Sequence, residues 1–350
     1  MCDGRPVVLH GPNGAGKTNV LEALSLLAPG RGLRRAVATD WPKRGRSAQH
    51  WSIAARLQRP DGEMALGTGR EDGQERRLVR IDGRAARNQA ELGDILGVIW
   101  LTPAMDRLFV EGAAGRRQFL DRMAVNLHPG HTAHATAYER AQRERMRLLR
   151  DGPADPGWLA VLEQTMAEAG TAVTATRWAT VTALNEACQQ GESAFPAARL
   201  ELVGGLDEKL ASQGPDAAQA WFRRSLETER RRDGEAGQTA TGPQRTDVVV
   251  RHGGHGGFAA QGSTGEQKAL LLAMILGLAR CRAAQTGVAP LLLLDEVAAH
   301  LDRARRAALF DEICRLSGQC WMSGTEAALF ADLGERGQYL HLVDHAVVTG

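Results

Sequence analysis

Gly11-Pro12-Asn13-Gly14-Ala15-Gly16-Lys17-Thr18 fits the spacing GxxxxGK[ST]. An apolar run, Val7-Val8-Leu9, precedes it, and apolar positions at Val20, Leu21, Leu24 and Leu27 follow at helical spacing. A strand, a glycine turn and a helix in that order are the setting in which such a loop holds phosphates. Glycines let the backbone turn tightly, so that its N–H groups converge on phosphate oxygens. The helix start adds its positive dipole end. The chemistry expected is binding of ATP and Mg2+, with Lys17 on the β- and γ-phosphates and the Thr18 hydroxyl on the metal.

Two further strings could complete such a site. Leu291-Leu292-Leu293-Leu294 is an apolar run ending in Asp295-Glu296. A buried parallel strand would deliver both carboxylates to its C-terminal end, where α/β sheets bind ligands. Asp295 is then placed for the magnesium shell and Glu296 for taking a proton from an attacking water. Gln261-Gly262-Ser263-Thr264-Gly265-Glu266-Gln267-Lys268 lies ahead of a helical stretch, with Ser263 32 residues before Asp295. By residue type Ser263 or Thr264 is a helix N-cap. The same N-terminus can also bind an anion.

The elements that must position these residues fall into three textures. Residues 1–105 read as mixed α/β, with strand-like alternation from Trp51 and a strand entering a turn at Arg77-Leu-Val-Arg-Ile-Asp-Gly. Residues 106–240 are rich in Ala, Arg, Glu and Leu, with helices expected over 118–126, 133–150, 156–190 and 217–232. Residues 233–242 read as a loop. From 241 to 350 the α/β texture returns, with a strand at Asp247-Val-Val-Val and helices over 265–282 and 303–316. The fold expected is an α/β ATPase head, 1–105 with 241–350, split by an inserted helical lobe, 106–240.

Bulk properties narrow the class. The chain has 350 residues, 43% hydrophobic and 24% charged, enough apolar material for a substantial core. A net charge of +2 and a pI near 8.4 neither demand nor exclude nucleic acid. Four lysines, Lys17, Lys43, Lys209 and Lys268, stand among 43 basic residues, and two of them lie inside the motifs above. The five cysteines show no metal-binding or disulfide spacing, which fits a reducing compartment. No run approaches the roughly 20 apolar residues that span a bilayer. A cytoplasmic protein without a membrane partner is expected.

Basic clusters occur at Arg31 to Arg35, Arg140 to Arg150, and Arg223 to Arg232. Arg140, Arg143 and Arg147 share a helical face, partly offset by Glu139 and Glu144. If a nucleic acid binds such a face, the contacts are to its phosphates, salt-dependent and independent of sequence. With only 5% aromatic residues, a base-stacking platform is not expected.

Ser263-x-Gly265-Glu266 at this distance before Asp295 resembles the signature segment of ABC ATPases, and Ala299-His300-Leu301-Asp302 resembles their D-loop. The resemblance implies that Ser263, Gly265 and Glu266 meet the nucleotide of a second protomer, with Asp302 nearby. Four strings then resemble the RecF family: Gly11 to Ala23, including Asn19 and Glu22; Leu101-Thr-Pro103 continuing to Gly115-Arg116-Arg117-Gln-Phe119-Leu120-Asp121-Arg; Thr241-Gly-Pro243-Gln-Arg245-Thr-Asp247; and Gly262 to Lys268. Together they run nearly the length of the chain. The resemblance implies an ATP-dependent homodimer that binds duplex DNA near single-strand gaps and promotes RecA loading with RecR and RecO. It also implies DNA contacts from Arg34 and Arg35 and a weak ATPase. The chain departs from the family in four places. The lead-in ahead of the phosphate loop is shorter, so a late start or a truncation is expected. Val98-Ile99-Trp100 stands where a glutamine is expected, and Gln244 replaces a histidine. The segment Trp321-Met-Ser323-Gly-Thr325 lacks the switch histidine, leaving Ser323 or Thr325 for that role. An ABC transporter subunit and a non-hydrolysing DNA scaffold are the alternatives.

Overall fold

The computed structural model describes residues 2–34, 50–59, 62–72, 74, 76–152, 155–189, 194–316, 318–343 and 346–348. In chain order the first stretch holds β1 (Val7–His10), α1 (Lys17–Ser25), β2 (Trp51–Arg59), β3 (Gly62–Arg70), β4 (Leu78–Ile81), β5 (Arg84–Ala85), α2 (Glu91–Ile95) and β6 (Val98–Leu101). The middle holds α3 (Ala113–Leu127), α4 (His131–Arg150), α5 (Pro156–Gln189), β7 (Ala198–Val203), α6 (Gly205–Gln213), α7 (Pro215–Thr228), α8 (Arg230–Ala236) and β8 (Asp247–His252). The remainder is α9 (Thr264–Thr286), β9 (Leu291–Leu294), α10 (Arg303–Arg315), β10 (Cys320–Gly324), β11 (Gln338–Val343) and β12 (Ala346–Val348).

Two compact units result, Met1–Met105 with Arg282–Gly350, and Asp106–Cys281. The texture change at 241 and the unit boundary at 281 do not coincide. The reason is pairing: β8 finds its hydrogen-bonding partner in β7, from the helical stretch, in an antiparallel ribbon running from Ala198–His252 to Val203–Asp247.

The first unit is built on a six-stranded sheet of order β12-β11-β1-β10-β9-β6, parallel except for the β12 edge. Its strands read as continuous apolar runs because they lie buried in the sheet's centre; Val7 to Leu9 and Leu293 to Leu294 are fully enclosed. A second, antiparallel sheet, β2-β3-β4-β5, packs Leu66, Val79 and Ile81 against Leu27 and Leu92. The Asp82-Gly83 turn between β4 and β5 has positive φ at both residues, as a two-residue hairpin requires. Arg77 is buried and donates to the carbonyls of Leu26, Ala28 and Gly30, satisfying acceptors left open at the end of α1. Burial brings its guanidinium down to about 10.

The second unit has its own core, in which Tyr138, Met166, Phe222 and Leu226 pack from α4, α5 and α7. Gly170 allows the close approach: a Cβ there would crowd the rings of Phe222 and Tyr138. Beneath that core Arg145, fully buried, donates to Glu163, Asp233 and the Leu226 carbonyl, and Arg230 adds a second bond to Glu163. Leaving such buried carboxylates unpaired costs on the order of 3–5 kcal/mol, several times what a lost helix cap costs. The apolar helix α9 has the length and hydropathy of a membrane span, but its window is 67% buried, with Ala269 to Leu272 enclosed. Its hydropathy therefore belongs to a core. One expected helix, 217–232, is two, α7 and α8, broken at Glu229, and α8 takes up part of the loop expected over 233–242.

Candidate functional site

The C-terminal ends of β1, β9 and β10 bring the first two motifs together. Gly11, Gly14 and Gly16 all have positive φ, so the loop from Gly11 to Gly16 turns in conformations that other residues adopt only with strain. Gly11 is doubly constrained, because a Cβ there would also overlap the carbonyl of Leu342 on β11. Gly11→Ala is therefore expected to destabilise the first unit by several kcal/mol; a urea titration in which the midpoint is unmoved contradicts that.

Pro12, Asn13 and Gly14 form the exposed crest of the loop and Ala15 is buried beneath it. Lys17 begins α1 and folds back, its Nζ donating to Gly11 O at 2.7 Å and Pro12 O at 2.9 Å. It is 6% exposed, and among the described residues no carboxylate neutralises it. Its charge is thus held at the loop by neutral acceptors, which a phosphate can outcompete.

Asp295 follows β9, and its own N–H donates to Leu101 O on β6 at 2.9 Å. Its carboxylate lies 3.2 Å from the Thr18 hydroxyl. The fully buried Ser323, on β10, donates to Asp295 Oδ1 at 2.5 Å, and its Oγ accepts the Glu296 N–H at 2.9 Å. Glu296 is in the left-handed region at φ 50°, a conformation that costs a non-glycine residue on the order of 1 kcal/mol. The Ser323 bond holds it there and turns the chain out of the strand immediately after Asp295. Thr325, the other residue considered for the switch position, is exposed. Ile99 and Trp100 are buried in β6.

Asn19 and Glu22, on the first turns of α1, are occupied by Arg34. Its Nη1 donates to Asn19 Oδ1 at 3.0 Å, and its Nε lies 3.3 Å from Glu22. Burial raises the Glu22 carboxyl, and Arg34 pulls it back only in part. Arg35 lies outside the described residues, as does the side chain of His300.

Ser263 is the N-cap of α9. Its N–H and Oγ both donate to Glu266 Oε2, at 2.8 and 2.9 Å, and the Glu266 N–H returns a 3.3 Å bond to Ser263 Oγ. This is a capping box, and the backbone and hydroxyl bonds from Ser263 hold the Glu266 carboxyl below its usual range. Gly265 sits in that first turn. Lys268 is 3% exposed and lies 3.8 Å from Asp106. Asp302 caps α10, accepting from the Arg305 N–H at 2.8 Å.

The strings on either side of the helical stretch interlock. Arg116 grips Asp247 through two bonds of 2.9 Å, and Arg117 donates to Thr246 O. Asp121 accepts from Arg177, which also reaches Pro243 O, and from His131. Burial raises the Asp121 carboxyl, but the bonds from His131 and Arg177 outweigh it and bring it down to about 2. Gln244 accepts from the Tyr138 hydroxyl at 2.5 Å. None of these pairings is readable from the strings themselves, since partners stand up to 131 residues apart.

A family model for the RecF/RecN/SMC N-terminal domain matches residues 2–332. The DNA replication and repair protein RecF of Agrobacterium fabrum is 48% identical over 353 aligned positions, covering 100% of this chain and 93% of that protein. This chain belongs to the RecF family. RecF of Allorhizobium ampelinum is likewise 48% identical, over 98% of this chain and 92% of its own length. Among solved structures, the recombination mediator protein RecF of the RecFOR pathway in its ATP form superposes with a TM-score of 0.83 at 19% identity, covering 99% and 92% of the two chains. An Smc head domain bound to the C-terminal domain of ScpA from Pyrococcus furiosus gives 0.52 at 15% identity, over 99% and 89%. At those identities the likeness is one of fold. This RecF-family chain therefore has the ABC-type ATPase head fold of RecF and SMC proteins, with its helical insertion. That fold explains why Asp295 and Thr18, 277 residues apart, face each other.

Proposed function

We propose that the chain is an ATP-dependent DNA-binding recombination mediator. It dimerises with ATP bound, engages duplex DNA near single-strand gaps, and promotes RecA loading with RecR- and RecO-type partners in the cytoplasm. The observation that carries this reading is the convergence of Lys17, Thr18 and Asp295 at the mouth of a glycine loop, in a chain whose curated relatives are named DNA replication and repair proteins. A transporter-subunit reading has no support from those relatives.

The Thr18 hydroxyl and Asp295 carboxylate are hard oxygen donors on one side of the loop and suit Mg2+. Magnesium held by these two residues would supply charge neutralisation to bound phosphates. Lys17 exchanges the Gly11 and Pro12 carbonyls for phosphate oxygens, and the N–H groups from Asn13 to Asn19 complete the cradle. Glu296 accepts a proton from the attacking water, and Ser323 sets its backbone and orients Asp295. The Ser263–Glu266 turn and Asp302 of one protomer meet the nucleotide of its partner, where the N–H groups at the α9 start favour the γ-phosphate. In this reading turnover is slow, since Ile99 and Ser323 stand where γ-phosphate sensors are expected, and ATP works chiefly as a clamp.

Sedimentation velocity and anisotropy on a gapped duplex test this reading. With ATP and magnesium the protein is expected to sediment as a dimer and to bind the duplex, and with ADP to do neither. Binding indifferent to nucleotide overturns it.

A further inference from the structure

Four arginines of the second unit are neutralised by carboxylates: Arg116 by Asp247, Arg145 by Glu163 and Asp233, Arg177 by Asp121, Arg230 by Glu163. A different set gathers at one place. Arg117, Arg143, Arg147, Arg150 and Arg245 line a cavity of about 620 Å³ beside the end of α4. Three of them are anchored by neutral backbone carbonyls. Arg117 donates to Thr246 O at 2.8 Å, Arg150 to Gly237 O at 2.7 Å, and Arg245 to Thr239 O at 3.2 Å. Such anchors fix each guanidinium while leaving its charge and its other N–H donors for a ligand. The one acid in the described lining is Asp151; Glu144, outside it, pairs with Arg147 at 2.6 Å, while Asp121 and Asp247, which also act on Arg117, are held by Arg177 and Arg116. Five cations against two anions leave the concavity positive. Arg117 and Arg245 come from the two family strings flanking the helical stretch, which thus build this wall as well as locking each other.

Resting on the DNA-binding reading above, we propose that this cavity is a phosphate seat for the DNA backbone, formed within the helical unit and separate from the nucleotide loop. The lining favours phosphodiester over protein. Met146 is the one apolar side chain among the described residues that line it, whereas a protein partner ordinarily anchors through apolar and aromatic contacts. No aromatic side chain lines it either, so the recognition is of backbone rather than of bases. Arg140, on the same helix, is not part of the wall; the site is a concavity and not a basic helix face.

The test uses the full chain with ATP, a labelled duplex, and anisotropy across a potassium chloride series. For wild type, log K falls linearly with log salt. The double variant Arg143→Ala/Arg147→Ala is expected to shallow that slope by about 1.8, from about 0.9 for each lost phosphate contact. Arg143→Lys/Arg147→Lys restores it, since a point charge suffices for a phosphate. The exposed pair on α7, altered as Arg223→Ala/Arg224→Ala, keeps the wild-type slope. Unchanged affinity for a fluorescent ATP analogue shows that the variants are folded. A wild-type slope in Arg143→Ala/Arg147→Ala overturns the phosphate seat while leaving DNA binding intact. Loss of a polyglutamate peptide but not of duplex also overturns it, in favour of an acidic protein partner. If the wild type binds no duplex in any nucleotide state, the functional reading itself falls.

Discussion

Lys17→Met is expected to weaken ATP binding roughly ten- to hundredfold and to abolish ATP-dependent dimerisation. The reasoning is local. A hydrogen bond to a charged group contributes about 1.5–3 kcal/mol, and each 1.4 kcal/mol is about a factor of ten in affinity. Lys17 is nearly buried, carries no carboxylate partner among the described residues, and already rests on two carbonyls of the glycine loop. Methionine keeps the stem's packing and removes the charge. Titration with a fluorescent ATP analogue reads the first effect and sedimentation velocity the second. Unchanged affinity in a folded variant removes the phosphate-loop assignment, and with it the reading of Asp295 and Thr18 as a metal pair.

Glu296→Gln is expected to do the opposite to the dimer. Loss of a general base typically lowers the chemical step 10²- to 10⁴-fold. The amide keeps the size of the side chain, and the left-handed backbone at φ 50° is held by Ser323 through the N–H, which the substitution leaves in place. ATP therefore still binds and the closed dimer persists on DNA. Single-turnover hydrolysis should slow, and the ATP-dimer should outlast the wild type's when excess ADP is added. A Glu296→Gln protein that stays monomeric at saturating ATP contradicts the clamp.

What the sequence displays and what it hides follow a physical division. The glycine loop is legible because its constraint is local: positive φ at Gly11, Gly14 and Gly16 permits little else. The Leu291–Glu296 string is legible because a strand buried on both faces must be apolar throughout. Ser323 is legible only as one of two candidates with Thr325, since the choice depends on β10 lying beside β9, a neighbour relation set by tertiary order. Arg145 reads as part of a solvated basic stretch, yet it is fully buried, because Glu163 and Asp233 come from α5 and α8 to meet it. β3 escapes notice because it is glycine-rich, and β3 and β7 are each stabilised by a partner strand rather than by their own propensity. The α7–α8 break carries no proline or glycine to announce it. Among the family strings, recognition succeeds without explanation; the ion pairs that tie them, Arg116 to Asp247 and Asp121 to Arg177, supply the explanation.

The position of β1 has a consequence for biosynthesis. Both its neighbours in the sheet, β10 and β11, lie beyond residue 319 and are made long after it. The segment that carries the glycine loop must therefore wait, unpaired and apolar, while the continuous stretch from Asp106 to Cys281 is made and can fold on its own schedule. The glycine loop therefore gains its supporting sheet only after the whole Asp106–Cys281 stretch has been made.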